Sequence, residues 1–122
     1  MGDKLADYKN LKVWQGAHKL TLAIYKTTSK FPHEERFALT SQLRRAASSI
    51  LTNIAEGSGQ LTDSNYARYL AIARGSVLEV SYLLILSKDL GYISIKDYNK
   101  LEQLNTEVTK MLHKFINKLR SN

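Results

Sequence analysis

Apolar residues recur every three to four positions through four stretches of this chain, the period of helices buried along one side. The clearest stretch is LTSQLRRAASSILTNIAEGSG, residues 39–59. At 100° per residue Leu39, Leu43, Ala46, Ala47, Ile50, Leu51 and Ile54 share one face, while Arg45, Ser49, Thr52 and Glu56 run down the other. Thr40 or a neighbour is placed to cap its start, and Gly57 to end it in a left-handed conformation. A preceding helix, capped by Asn10, presents Val13, Trp14, Ala17, Leu20, Ile24 and Phe31, and Pro32 stops it. A third begins at Thr62 or Asp63 and ends at Gly91. The fourth opens on Ser94-Ile95-Lys96-Asp97, a capping-box pattern, and turns Leu101, Leu104, Val108, Met111, Leu112, Phe115 and Leu119 inward. The pattern predicts helices near 11–30, 40–57, 63–90 and 95–120. Connections of a few residues make successive helices antiparallel, so the expected fold is all-α, an antiparallel up-down-up-down four-helix bundle. Residues 1–9 read as a polar, flexible lead-in to a single domain of residues 1–122.

The third helix carries more apolar surface than a bundle position needs. Tyr69, Leu70, Ala73, Val77, Val80, Leu83 and Leu84 make one broad face; Ala71, Leu78, Tyr82 and Ile85 make a second. A helix apolar nearly all round is buried nearly all round. The second face therefore predicts an oligomer interface at Ala71, Leu78, Tyr82 and Ile85. The four-residue step from Ala71 to Gly75 lets another helix approach closely. Scattered surface apolars are the competing reading.

Charge adds a second feature. The net charge is +7. Residues 1–33 hold six lysines and two aspartates, and residues 92–122 hold six basic and three acidic groups, while the middle of the chain balances. On the first helix Lys12, Lys19, Lys26 and Lys30 fall within about 40° of one another. On the fourth, Lys96, Lys100, Lys110, Lys114 and Lys118 form a similar stripe, diluted by Glu107. Such stripes are solvated faces or phosphate contacts. The second reading makes Lys12, Lys19, Lys26, Lys30, Lys110, Lys114 and Lys118 candidate nucleic-acid contacts.

Catalytic chemistry is poorly served. There is no cysteine, and His18, His33 and His113 stand far apart without carboxylates at ligand spacing. Glu-x-x-His pairs of a di-iron bundle are missing. No metal or other cofactor is expected, and the chain reads as non-enzymatic. The Gly57-Ser58-Gly59 segment follows a helix and lacks a P-loop lysine, so it reads as a helix stop. Arg44 and Arg45 point about 100° apart. Structural ion pairs with Glu56 or Glu79, within the subunit or across an interface, are expected of at least one of them; the competing reading is that one faces nucleic acid. MGDKLADYKN has no apolar core, and the run from Val77 to Leu86 is too short to span a bilayer, which predicts a soluble, cytoplasmic protein.

QLRRAASSI followed by NIAEGSG, with LKVWQGAHKL before and YLAIARGSVLEV after, resembles the 23S rRNA-intervening-sequence protein family, also called four-helix bundle protein. The resemblance runs in register from about Tyr8 to Tyr92, and the family is similar to accessory proteins of diversity-generating retroelements. Leu51 stands where the family often has proline, and Gln60 where it often has arginine. The resemblance implies a homopentameric ring of four-helix bundles with a positive surface and a role tied to RNA. Two functions follow: a basic oligomeric module binding structured RNA through its phosphates, or a structural adaptor docking a partner protein such as a reverse transcriptase.

Overall fold

Four helices and no strand form among residues 7–121, which the computed structural model describes. They are α1 (Lys12–Thr28), α2 (Leu39–Ser58), α3 (Asp63–Asp89) and α4 (Ile95–Arg120), packed as a four-helix bundle. Each packs against its neighbours in sequence, and α1 closes against α4. Residues 1–6 of the expected lead-in lie outside the described residues. Tyr8–Asn10 makes a 3-10 turn whose Tyr8 ring meets Trp14 edge-on at 5.5 Å.

The core is the apolar set the period marks, with local shifts. Leu20, Ile24, Leu43, Ile50, Ile54, Leu70, Val77, Val80, Leu84, Val108, Leu112 and Ile116 are fully buried. Burying each side chain contributes about 1.5–3 kcal/mol, before the opposing loss of chain entropy. Trp14, Leu51 and Tyr69, expected in the core, are partly buried at its edge. On α4 the inward face is rotated from the expected one. Leu101, Asn105, Val108, Leu112 and Ile116 are buried, while Leu104, Met111, Phe115 and Leu119 line its margin. Asn105 is tolerated inside because its Nδ2 donates to the Val77 carbonyl, 3.2 Å away. Ser49, expected outside, faces α3 and pairs with Ser76 at 3.0 Å between hydroxyl oxygens.

The helix ends follow capping chemistry in part. Thr62 accepts from the Asn65 N–H at 3.1 Å, and Ser94 from the Asp97 N–H at 3.0 Å, as expected of N-caps. Asn10 does not cap α1: it ends the preceding turn, its Nδ2 donates to Asp7, and Leu11 stands at the N-cap without a side-chain bond. Gly91 takes φ +81°, and its N–H and that of Tyr92 bond back to Lys88 and Ser87, closing a Schellman motif after α3.

Gly57 is not the left-handed stop expected. It is a buried helical residue, and α2 ends at Gly59 with φ −88°. The reason is a close approach: a Cβ on Gly57 would stand 2.9 Å from the Tyr66 ring and 3.0 Å from Tyr69 Cβ, which the backbone of α3 fixes. Gly57→Ala is therefore expected to cost about 1–3 kcal/mol by prising α2 from α3, measured by urea denaturation. Gly16→Ala is the control. Its clash is with the terminal methyl of Met111, which can swing away.

By length and composition α3 as a whole could cross a membrane, which the shorter Val77–Leu86 run alone does not suggest. Here its inner face supplies the bundle core, with Leu70, Ala73, Val77, Val80, Leu83 and Leu84 buried.

Candidate nucleic-acid interface

The two lysine stripes meet along the seam between α1 and α4. At one end Lys12, Lys114 and Lys118 rim a hollow of about 350 Å³ floored by Leu11, Val13, Met111 and Phe115. Midway, Lys19 and Lys100 share a hollow with Gln103, Leu104 and Glu107. At the other end Lys26, Lys30 and Lys100 surround a third, with Asp97 the acidic group in its wall. Helical period places the lysines at the seam, and the half-buried flank of each helix brings the two rows together across it. Every one of these lysines is exposed.

Two placements differ from expectation. Lys30 lies beyond the end of α1 yet still lines the seam. Lys110 is exposed but lines none of the three hollows. Lys100, part of the sequence stripe but not among the candidate contacts, joins two hollows. The signal was available: Lys100, Leu104, Glu107, Met111, Lys114 and Lys118 recur at three- and four-residue steps on one flank of α4.

The expected ion pairs do not form within the chain. Arg44 Nε donates to Thr28 Oγ1 at 3.0 Å, its Nη2 to the Tyr25 carbonyl at 3.4 Å, and its guanidinium lies 4.5 Å over the Tyr25 ring. It ties α2 to α1, away from Glu56 and Glu79. Arg45, Glu56 and Glu79 are exposed, and Lys88–Asp89 at 4.0 Å is the one salt bridge among the described residues. The physical reason is spacing: Tyr25 and Thr28 stand opposite Arg44 across the α1–α2 contact and offer it oxygens and a ring face. No group of three or more potential metal ligands occurs among the described residues.

The second face of α3 is open to solvent in the single chain. Leu78 is 63% exposed, Tyr82 60% and Ile85 39%; Ala71 is half-buried, and Ile72 is exposed beside it. Apart from its chain neighbours and the local helix backbone, no atom lies within 4 Å of where a Gly75 side chain would begin. The series Ala71, Gly75, Leu78, Tyr82, Ile85 alternates steps of four and three, the spacing of a helix–helix seam.

At the end of the bundle where α1 joins α2 and α3 joins α4, the two connections are tied together. Tyr92 donates its hydroxyl to Glu35 Oε2 at 2.8 Å, and its ring tilts against Phe31 at 5.4 Å. The bond to the Glu35 carboxylate, then burial and the charges of Glu35 and Glu34, raise the Tyr92 pKa. At the opposite end burial pushes Tyr66 up to about 12. In both cases the fold holds the phenol proton more tightly than the unfolded chain does. That stability is complete below the ordinary tyrosine value and is lost as pH rises through the folded one.

The chain matches the 23S rRNA-intervening sequence protein family over residues 9–114, and it belongs to that family. Its fold is similar to the crystal structure of a protein with unknown function from the S23 ribosomal protein family of Bacteroides thetaiotaomicron VPI-5482. The TM-score is 0.77 at 25% identity, over 85% of this chain and 97% of that one. No curated protein matches the chain.

Proposed function

We propose that the protein is a non-enzymatic, oligomeric RNA-binding module that grips the phosphates of structured RNA along the α1–α4 seam. The observation that carries this reading is the convergence of six exposed lysines, Lys12, Lys19, Lys26, Lys100, Lys114 and Lys118, with Lys30 beyond the helix end, on one line. One glutamate and one aspartate interrupt it. Such a row suits a phosphate backbone and reads no base edges, so binding follows shape and charge instead of sequence. The family's name, with 23S rRNA in it, supports RNA as the partner.

Pairs across the bundle support the antiparallel up-down-up-down course. Gly57 meets Tyr66 and Tyr69 while Ser49 meets Ser76; Asn105 meets Val77 while Phe115 meets Tyr66. In each case one residue number rises as the other falls. Copies of the chain then join through Ala71, Gly75, Leu78, Tyr82 and Ile85 of α3, which leaves the α1–α4 seam outside the joint. A repeated joint of this kind closes into a ring when its rotation allows, and the family resemblance suggests five copies. Each copy adds its lysine line to the assembly's field. A cytoplasmic location accords with this role. The reading is tested by fluorescence anisotropy with a structured RNA and an unrelated RNA of equal length. Comparable binding to both at low salt supports it; no binding to either contradicts it.

A further inference from the structure

Two arginines and a histidine line a small hollow that the lysine seam does not include. It lies at the turn from α1 into α2, has a volume of about 180 Å³, and is lined by Arg36, Arg44, His33 and the hydroxyl-bearing Thr28, Ser29 and Thr40. We infer that this hollow is a binding site for a single phosphate group, of the inorganic phosphate or phosphate-monoester class.

The donors are positioned and in part uncommitted. Arg44 is fixed by its bonds to Thr28 and the Tyr25 carbonyl and by the Tyr25 ring beneath it, so its guanidinium is held in place before any ligand arrives. Its Nη1 has no protein partner among the described residues. Arg36 lines the same hollow, its guanidinium 4.6 Å over the Phe37 ring. Two arginines with planar, forked donors suit a tetrahedral oxyanion.

The hydroxyls separate into two kinds. Thr28 donates to the Ile24 carbonyl while accepting from Arg44, and Ser29 donates to the Lys26 carbonyl. Thr40 is different. It is only 6% exposed, lines the hollow, and its hydroxyl has no hydrogen-bond partner among the described residues. A hydroxyl not spent on the protein is free to donate to an anion bound in the hollow.

The nearest acids are turned away. Glu35 spends its carboxylate on the Tyr92 hydroxyl at 2.8 Å and, at 3.4 Å, on the Leu39 N–H; neither it nor Glu34 lines the hollow. The N-cap residue of α2, Ala38, makes no side-chain bond, and the Leu39 N–H at the helix start is met by Glu35. The hollow is smaller than the about 300–1,000 Å³ typical of small-molecule pockets, which fits one phosphate and leaves a sugar or base outside.

The test uses the full chain and nuclear magnetic resonance titration with inorganic phosphate, with chloride at equal ionic strength as control. A second arm compares a 5′-phosphorylated dinucleotide with its 5′-hydroxyl twin. Saturable shifts at Arg36, Thr40 and Arg44 with phosphate, and not with chloride, are expected. Arg36→Gln and the near-isosteric Thr40→Val are each expected to weaken binding about tenfold, the loss of one charge-assisted hydrogen bond. If the 5′-phosphorylated dinucleotide binds better than its twin, the phosphate comes from a nucleic-acid end; if only inorganic phosphate binds, it comes from solution. No saturable shift in either arm overturns the site. So do shifts that persist undiminished in Arg36→Gln, an exposed position that keeps the fold even where Thr40→Val does not. Glutamine at Lys12, Lys114 and Lys118 leaves this titration unchanged, so failure of the RNA reading and failure of this site are separately visible.

Discussion

Replacing Lys12, Lys114 and Lys118 together with glutamine is expected to weaken binding to structured RNA about tenfold to a hundredfold at low salt. The three ammonium groups rim one hollow, so each loss falls on the same stretch of backbone. Phosphate contacts contribute through counterion release, and three fewer contacts lose three such contributions. The loss should be equal across unrelated RNA sequences, because a row of lysines reads no bases. Glutamine keeps the first half of each aliphatic stem and the positions are exposed, so unfolding free energy is expected to change by no more than about 0.5 kcal/mol. Lys110→Gln is the internal comparison. It removes the same charge from α4 but away from the seam, and is expected to change affinity far less. Filter binding at fixed salt reads both.

Charges placed on the outer face of α3 are expected to take the assembly apart. Leu78→Glu with Ile85→Glu puts two carboxylates two turns apart on the proposed joint, where each would be buried against an apolar neighbour. Unpaired buried charge costs about 3–5 kcal/mol, so association is expected to weaken a hundredfold or more. Because both side chains face solvent in the single chain, helix content and cooperative unfolding are expected to persist. Light scattering with circular dichroism decides it: a smaller particle with intact helices supports the joint. A wild-type protein that is already monomeric at micromolar concentration contradicts it.

The period of apolar residues located four helices because burial along one side is what each helix needs from the rest. Its reach ended where a second interaction chose between neighbouring faces. On α4 the pattern favoured Leu104, Met111 and Phe115, all apolar, over Asn105. Asn105 is inside because a carbonyl on α3 receives its amide, a partner 28 residues away that no local pattern contains. Gly57 looked like a helix stop because glycine after a helix usually is one. The tyrosines that require it sit on the next helix.

The candidate site was legible to the same depth. Helical spacing gathered the lysines into two stripes; that both border one seam follows from how α1 packs on α4, which no single helix records. Arg44 was read toward glutamates because charge suggests charge. Its actual partners, Tyr25 and Thr28, are neutral and lie on a helix 16 or more residues earlier. The hollow around Arg36, Arg44 and Thr40 needs the turn between α1 and α2 to exist at all, and the Tyr92–Glu35 bond that turns an acid from it joins residues 57 apart.

The central claim, that the α1–α4 seam holds RNA by its phosphates, is tested most directly by the salt dependence of affinity. The measurement is the slope of log affinity against log salt for one structured RNA, wild type against the Lys12, Lys114 and Lys118 triple glutamine protein. Each phosphate contact contributes about 0.7–0.9 to that slope, so the triple replacement is predicted to flatten it by about 2–3. Equal slopes and equal affinities for the two proteins would contradict the account, and leave these lysines as a solvated surface.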